Sequence, residues 1–511
     1  MTNTAGLPYR SLIPVASALL LIASCETSVF EPSLLPANFP SLDSSDVQTI
    51  IAHAVELAQK TGKSITVAVT DREANVLGVF SMNGSTGTPN GSIAKARTAA
   101  YLSSNQHAFT TLTACFITRR HFPPDVRNTA GGPLFGVPFS SLFGGNIQPN
   151  GALGIGEPGL VGTPGGVPIF KDGSLAGGVG ITGVPEGFEP NTCSGATQDE
   201  SIALGAITGY APPQAKRGDN IMIDGIRILY SNASPQVTGF ALIFADINTP
   251  AIGTIDAFFP ITNPPAPRFP PEGEVNLDSN LFDFRIRAGS ILLEGDVRQI
   301  IGQAAQQAGR TRAAIRTPLG LPAQVFIAVV DTDGAVLGIW RTPDATLFSF
   351  DVCAQKARTA LAFSNPQNLE FGQRIRSIVG RPTTQALSVT TRAVGFLAQD
   401  FFPPGIDRDT LGHSREPGPL FEGPEFMYQA RIGLLPYGNG ITIFPGGIPL
   451  YKNGQLAGAI GISGDGVDQD DLIAFAGTLG FEAPESIRCD NFFYDGVRLP
   501  YVKFPRSPEV P

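Results

Sequence analysis

Four imidazoles, His53, His107, His121 and His413, are the side chains here most able to ligate a metal or move a proton near neutral pH. A second pattern is cationic: Lys95 and Arg97 return as Lys356 and Arg358 in a repeated KARTA segment. Residues two apart on a helix point roughly 200° from each other, so only one of each pair can face a given pocket. That one would contact an anion, or would close a salt bridge while its neighbour is solvated. Asp71 and Asp224 recur as Asp331 and Asp495 at strand ends, where aspartate caps turns by accepting backbone N–H groups. The pairs Gly165-Gly166 and Gly446-Gly447 are able to present backbone amides as an anion nest, or simply to begin a tight strand. No phosphate loop, GxSxG elbow, HExxH helix or EF-hand loop occurs, and no nucleophile–base pair repeats. Whether the chain is an enzyme stays open on these residues, and a binding role is favoured.

The elements that must position these groups come in two copies. GGVPIFKDGSLAGGVGITG at 165–183 answers GGIPLYKNGQLAGAIGISG at 446–464, with 11 of 19 positions identical. ITVAVTDREANVLGVF (65–80) answers VFIAVVDTDGAVLGIW (325–340). KARTA, FPP, GPLF, QDESIA/QDDLIA and DNIMIDGIR/DNFFYDGVR follow in the same order. The copies run 43–232 and 290–505. A Pro-rich interval, 233–289, containing NPPAPRFPPEGE, is expected as a semi-rigid linker.

Within each copy, Val47, Ile50, Ile51, Ala54, Val55 and Ala58, like Val297, Ile300, Ile301, Ala304 and Ala308, form a stripe of helical period. Gly62 and Gly309 are placed to end these helices. An alternating strand and a polar turn then predict a β-hairpin, and an Ala-rich helix follows at 92–103. The Asp172-Gly173 and Asn453-Gly454 tips of a second hairpin suit a type I′ turn. A last helix (198–208, 469–479) and a closing strand (220–229, 491–499) complete an α/β sandwich of antiparallel hairpins and packed helices. Between the second helix and second hairpin lie long Gly/Pro-rich excursions, 104–164 and 365–445, whose FPP and GPLF segments are expected to cover a core or an interface.

Together, the DxxxxVL hairpin, the KARTA helix, the GGxP hairpin and the following QDE or QDD resemble the GlcG/HbpS haem-binding family, which includes the PduO C-terminal-type domain. The resemblance covers most of both copies. It implies two tandem profilin-like domains, a homo-oligomer or an internal pseudo-dimer, and haem or another tetrapyrrole as ligand. On that basis the ligand-binding candidates are His53, Lys95, Arg97, His121, Lys356 and Arg358, with His53 the candidate metal ligand. His53 is answered by Gln303 and His121 by Phe401, so the two copies cannot ligate iron identically through histidine. The longer FPP/GPLF excursion departs from the family's compact pattern. Two other roles stand beside haem sequestration or sensing: a structural envelope lipoprotein without a small ligand, and a haem-degrading or small-acid-related enzyme.

The beginning of the chain carries an address. Arg10, an apolar run over 12–23 and Ile22-Ala23-Ser24-Cys25 resemble a lipoprotein signal peptide (1–25), followed by a tether (26–42). This implies lipidation of Cys25 and a lipid-anchored protein of a bacterial cell envelope, on the periplasmic face or outer membrane. Cys115, Cys193, Cys353 and Cys489 lack metal-ligand spacing and are expected as buried apolar side chains, their pairing open. A net charge of −9 without any basic block excludes nucleic-acid binding.

Overall fold

The computed structural model describes residues 40–135, 160–235, 239–258, 273–274, 286–399, 402–403, 417–421, 440–504 and 510. The signal, Cys25, the tether up to residue 39 and His413 lie outside them. None of the described helices is long and apolar enough to cross a membrane.

Copy one begins with α1 (Ser44–Lys60), capped by Asp43, whose carboxylate accepts from the Ser45 and Asp46 amides. Every residue of the expected stripe is buried. Then come β1 (Thr66–Asp71), β2 (Val76–Met82), α2 (Pro89–Tyr101), α3 (Thr111–Ile117), β3 (Gly166–Lys171), β4 (Ser174–Thr182) and α4 (Gln198–Ala206). The sequence 220–229 forms a separate two-stranded ribbon, β5 (Met222–Ile223) with β6 (Ile226–Arg227), rather than a strand of the main sheet. Asp224 and Gly225, both at positive φ, make its tip.

The interval expected as a linker contributes to both sheets. Residues 239–247, ending in α5 (Phe244–Ile247), lie across α1, and Glu56 accepts the Ala241 and Leu242 amides at 2.8 Å each. β7 (Gly253–Phe258) pairs with β2, and β8 (Gly273–Glu274) later pairs with β10 of copy two. Most of the NPPAPRFPPEGE stretch is outside the described residues.

Copy two repeats the plan with α6 (Glu294–Arg310), β9 (Phe326–Val330), β10 (Val336–Arg341), α7 (Phe348–Ser364), α8 (Gly372–Ile378), α9 (Thr391–Leu397), β11 (Gly447–Lys452), β12 (Gln455–Ser463), α10 (Val467–Gly477), β13 (Phe493–Tyr494) and β14 (Val497–Arg498). Its sheet order, β11-β12-β9-β10-β8, matches β3-β4-β1-β2-β7, all antiparallel. The helix expected to end at Gly309 continues to Arg310, because Gly309 keeps a helical backbone.

Neighbouring strand residues face opposite sides of a sheet. Val179 and Ile181 of β4 pack into the core that α1 and α4 cover. Gly178 and Gly180 therefore face α2, and they let it touch the sheet backbone. A Cβ on Gly180 would stand 2.0 Å from the Ser92 carbonyl oxygen, and one on Gly461 2.0 Å from that of Cys353. These glycines serve helix-to-sheet contact, not turns.

The two copies share one continuous apolar cluster. Leu102, Phe109, Phe116 and Phe122 of copy one belong to the same buried set as Phe348, Val352, Phe402 and Phe444 of copy two. The expectation that the FPP and GPLF segments cover a core agrees with Phe122, Phe135, Phe402 and Leu420, each at most 8% exposed.

Candidate functional site

Lys95 and Lys356 are held identically. Each ammonium donates to a strand carbonyl, Ile181 or Ile462, at 2.7 Å. Each also pairs with an aspartate of the following helix, Asp199 at 2.9 Å or Asp470 at 2.7 Å. Lys95 thereby ties α2 to β4 and α4, and Lys356 ties α7 to β12 and α10. Burial lowers the Lys95 pKa against the opposing pull of Asp199, and raises that of Asp199. The salt-bridge alternative for these lysines is what the geometry contains. Their partners went unnamed at the sequence level, although QDESIA and QDDLIA carried the signal: the repeated aspartate answers the repeated lysine.

Arg97 is half-buried, whereas Arg358 is fully buried rather than solvated. Its Nε donates to the Gly334 carbonyl in the β9–β10 turn at 2.8 Å, and burial lowers its pKa to about 10. Three of the four amides in the glycine pairs are taken by side-chain oxygens. Gly166 N donates to Thr111 Oγ1, Gly446 N to Asp471 Oδ1 and Gly447 N to Thr391 Oγ1. Asp71 caps its turn through Asn75, as expected.

The histidines stand in three different places. His53, half-buried on α1, has Nδ1 3.3 Å from the Ala206 carbonyl and its ring stacked on Phe240, centroids 3.6 Å apart. A carbonyl only accepts, so Nδ1 carries the proton and Nε2 the lone pair, the tautomer of many metal-bound imidazoles. Burial lowers its pKa, which favours that neutral form. His121 places Nδ1 3.1 Å from the Thr129 carbonyl. His107 is fully buried with both ring nitrogens engaged, by Ser104 Oγ and the Leu102 carbonyl, and burial beside Arg316 drives its pKa to about 3. Among the described residues no cluster of three or more metal-ligating side chains forms.

One cysteine expectation is overturned. Cys115 and Cys193 form a disulfide across a sequence separation of 78, tying α3 to the loop before α4. The spacing gave no hint of it, because partners 78 residues apart meet only in the tertiary fold. Cys353 and Cys489 are free and buried, as expected.

The seam between the copies holds the densest charge network. Arg316, wholly buried, pairs with Asp465 and, at 2.6 Å, with Asp344. It also donates to Ser104 Oγ and Gln106 Oε1 of copy one, both at 3.0 Å. Arg72 of copy one reaches the other Asp344 oxygen at 2.9 Å. Burial opposes ionisation of Asp344, but Arg316 and Arg72 outweigh it and hold the carboxyl below its usual range. At Asp465 burial prevails and the pKa rises. Arg316 sits in 311–325, a longer α6–β9 connection than its counterpart in copy one.

Beside this network lies a cavity of about 70 Å³, lined mostly by apolar side chains of both copies, with Thr346, Ser463, Lys356 and Asp470 as its polar members. A planar tetrapyrrole needs a slot of several hundred cubic ångströms and normally an axial ligand. No histidine lines the cavity, so the seam as it stands does not fit that group.

Among known proteins, the chain is similar to the corrinoid adenosyltransferase PduO of Citrobacter freundii, 29% identical over 164 residues, 32% of this chain and 34% of that protein. PduO of Salmonella typhimurium gives 28% over 164 residues, with the same shares. The chain thus spans about a third of the length of these curated relatives. Among solved structures, a PduOC:heme complex aligns with TM-score 0.23 and 21% identity, covering 34% of this chain and 96% of that one. A profile described as haem degrading protein HbpS-like matches residues 42–199 and 299–478, more than half of the sequence and the core of each copy, and the chain therefore belongs to the HbpS-like family.

Proposed function

We propose that this protein binds haem or a related tetrapyrrole non-covalently, for sequestration or sensing, at a lipid-anchored position outside the cytoplasm. The observation that carries the reading is the HbpS-like match over both copies. His53 of copy one is the proposed metal ligand. It is supported by the fixed tautomer, by partial exposure, and by the aromatic Phe240 that holds the ring. Export is supported by the Cys115–Cys193 disulfide, since such bonds persist in oxidising compartments. Lipidation of Cys25 completes the address.

Titration of the mature protein with hemin is expected to shift the Soret band with a defined stoichiometry. His53→Ala should weaken binding at least tenfold, while His107→Asn should alter stability rather than affinity. A flat titration of the intact protein overturns the haem reading; an unchanged titration of His53→Ala overturns only the ligand assignment. Following the bound absorbance after addition of a reductant separates holding haem from degrading it. Metabolic labelling with a fatty acid, lost in Cys25→Ser, tests the anchor.

A structural role is the second reading, favoured by the continuous core and buried ion network between copies. It has the fused copies acting as a rigid envelope scaffold. Hydrodynamic size unchanged by hemin, together with a flat titration, would select it.

A further inference from the structure

The seam cavity has an unfinished polar end. Asp470 lines it and is only 2% exposed, and Oδ2 is taken by Lys356. Oδ1 has no hydrogen-bond partner among the described residues. A buried oxygen left without a partner is costly, so it calls for a group to meet it.

Copy one shows how the same position is satisfied by the backbone. There Asp199 Oδ1 accepts the Val184 amide at 2.8 Å, because the chain after β4 folds in over it. Asp465 answers Val184 in copy two, and its carboxylate is drawn to Arg316 and the Gln324 amide instead. The amide cap is missing at Asp470, and the space beside it is walled by Leu102, Phe109 and Ile223 of copy one and Ile315, Phe348 and Val352 of copy two.

We propose that this cavity is a binding site for a short-chain alcohol, or a comparably small neutral molecule with one hydroxyl, that docks its hydroxyl on Asp470 and its carbons against the wall between the copies. Size sets the first limit. A 150 Å³ cavity accepts benzene, so about 70 Å³ accommodates roughly three or four heavy atoms. Charge sets the second: Lys356 and Asp470 already compensate each other, and an ionic guest would bring an unmatched charge against apolar walls. A hydroxyl also serves either protonation state of Asp470, since it both donates and accepts. Water can meet the same oxygen, but it leaves the wall of Leu102, Phe109, Ile223, Ile315, Phe348 and Val352 without an apolar partner, which the carbons of an alcohol supply.

The test is methyl NMR on the full chain labelled at isoleucine, titrated with 1-propanol. Ile223 and Ile315 methyls, one from each copy, should shift together and saturate in the millimolar range. 1-Propanethiol, a weak donor and acceptor, should bind at least fivefold more weakly. Val352→Phe and, separately, the partly exposed Ile315→Phe fill the space and leave the Lys356–Asp470 pair in place; Ile223 should then no longer respond. Unsaturating shifts spread over surface methyls, equal binding of the thiol, or an undiminished Ile223 response in a folded filling variant would each overturn the site. None of these outcomes bears on hemin binding, which is read separately by its Soret band.

Discussion

Replacing Arg316 by leucine isolates the energetics of the seam. The guanidinium has five polar partners: Asp465, the Asp344 carboxylate and carbonyl, Ser104 and Gln106. Its loss affects the two carboxylates unequally. Asp344 keeps Arg72 at 2.9 Å and the Asn105 amide at 3.0 Å. Asp465 keeps only the Gln324 amide at 2.7 Å, in a fully buried position. The cost is therefore that of one uncompensated buried carboxylate, about 3–5 kcal/mol. Neutralising the orphan should recover most of it. Asp465→Asn retains an oxygen for Gln324, so Arg316→Leu/Asp465→Asn should lie within about 1–2 kcal/mol of the parent, a recovery of about 2–3 kcal/mol relative to Arg316→Leu. Urea unfolding followed by Trp340 fluorescence reads this directly, because the chain has a single tryptophan and it lies buried on β10. A single-variant cost below about 1 kcal/mol, or a double variant no better than Arg316→Leu, would refute the assignment of Arg316 as the charge-balancing element.

Four further outcomes follow from the same structure. Lys95→Met should cost about 3–5 kcal/mol by stranding Asp199, whereas Lys95→Met/Asp199→Asn, which keeps an oxygen for the Val184 amide, should recover most of that loss, as chemical denaturation of both variants can show. Burial raises the Glu200 pKa from 4.5 to about 7, so the folded state keeps a proton that the unfolded chain has released between these values. Stability should fall by about 3 kcal/mol as pH rises through that window, and Glu200→Gln should remove this part of the decline. A profile that rises with pH by the same amount in both proteins would contradict it. Reducing Cys115–Cys193 should lower stability by about 4 kcal/mol from the entropy of a loop closed over 78 residues, measured by melting with and without reductant. Cys353 and Cys489 should resist a thiol reagent in the native state, since burial pushes both thiols upward, that of Cys489 to about 12.

The sequence alone determined the repeated backbone. Helical stripes such as Val47, Ile50, Ile51, Ala54, and turns such as Asp172-Gly173, act over a few residues, so their pattern identifies their element wherever the chain goes. The shared order of four strands, β3-β4-β1-β2 and β11-β12-β9-β10, follows from that repetition, whereas the fifth strand of each sheet comes from the unrepeated interval between the copies. What the repeat could not contain was anything present once. The 239–247 segment over His53, the disulfide, the Arg316 network and the cavity at Asp470 all join parts of the chain far apart in sequence. The role of the β4 glycines is likewise tertiary, since it is α2 lying on the sheet that excludes a Cβ at Gly178 and Gly180. Local propensity is written in neighbours along the chain. Burial, and with it the partner of each charged side chain, is decided only when distant surfaces exclude water from each other.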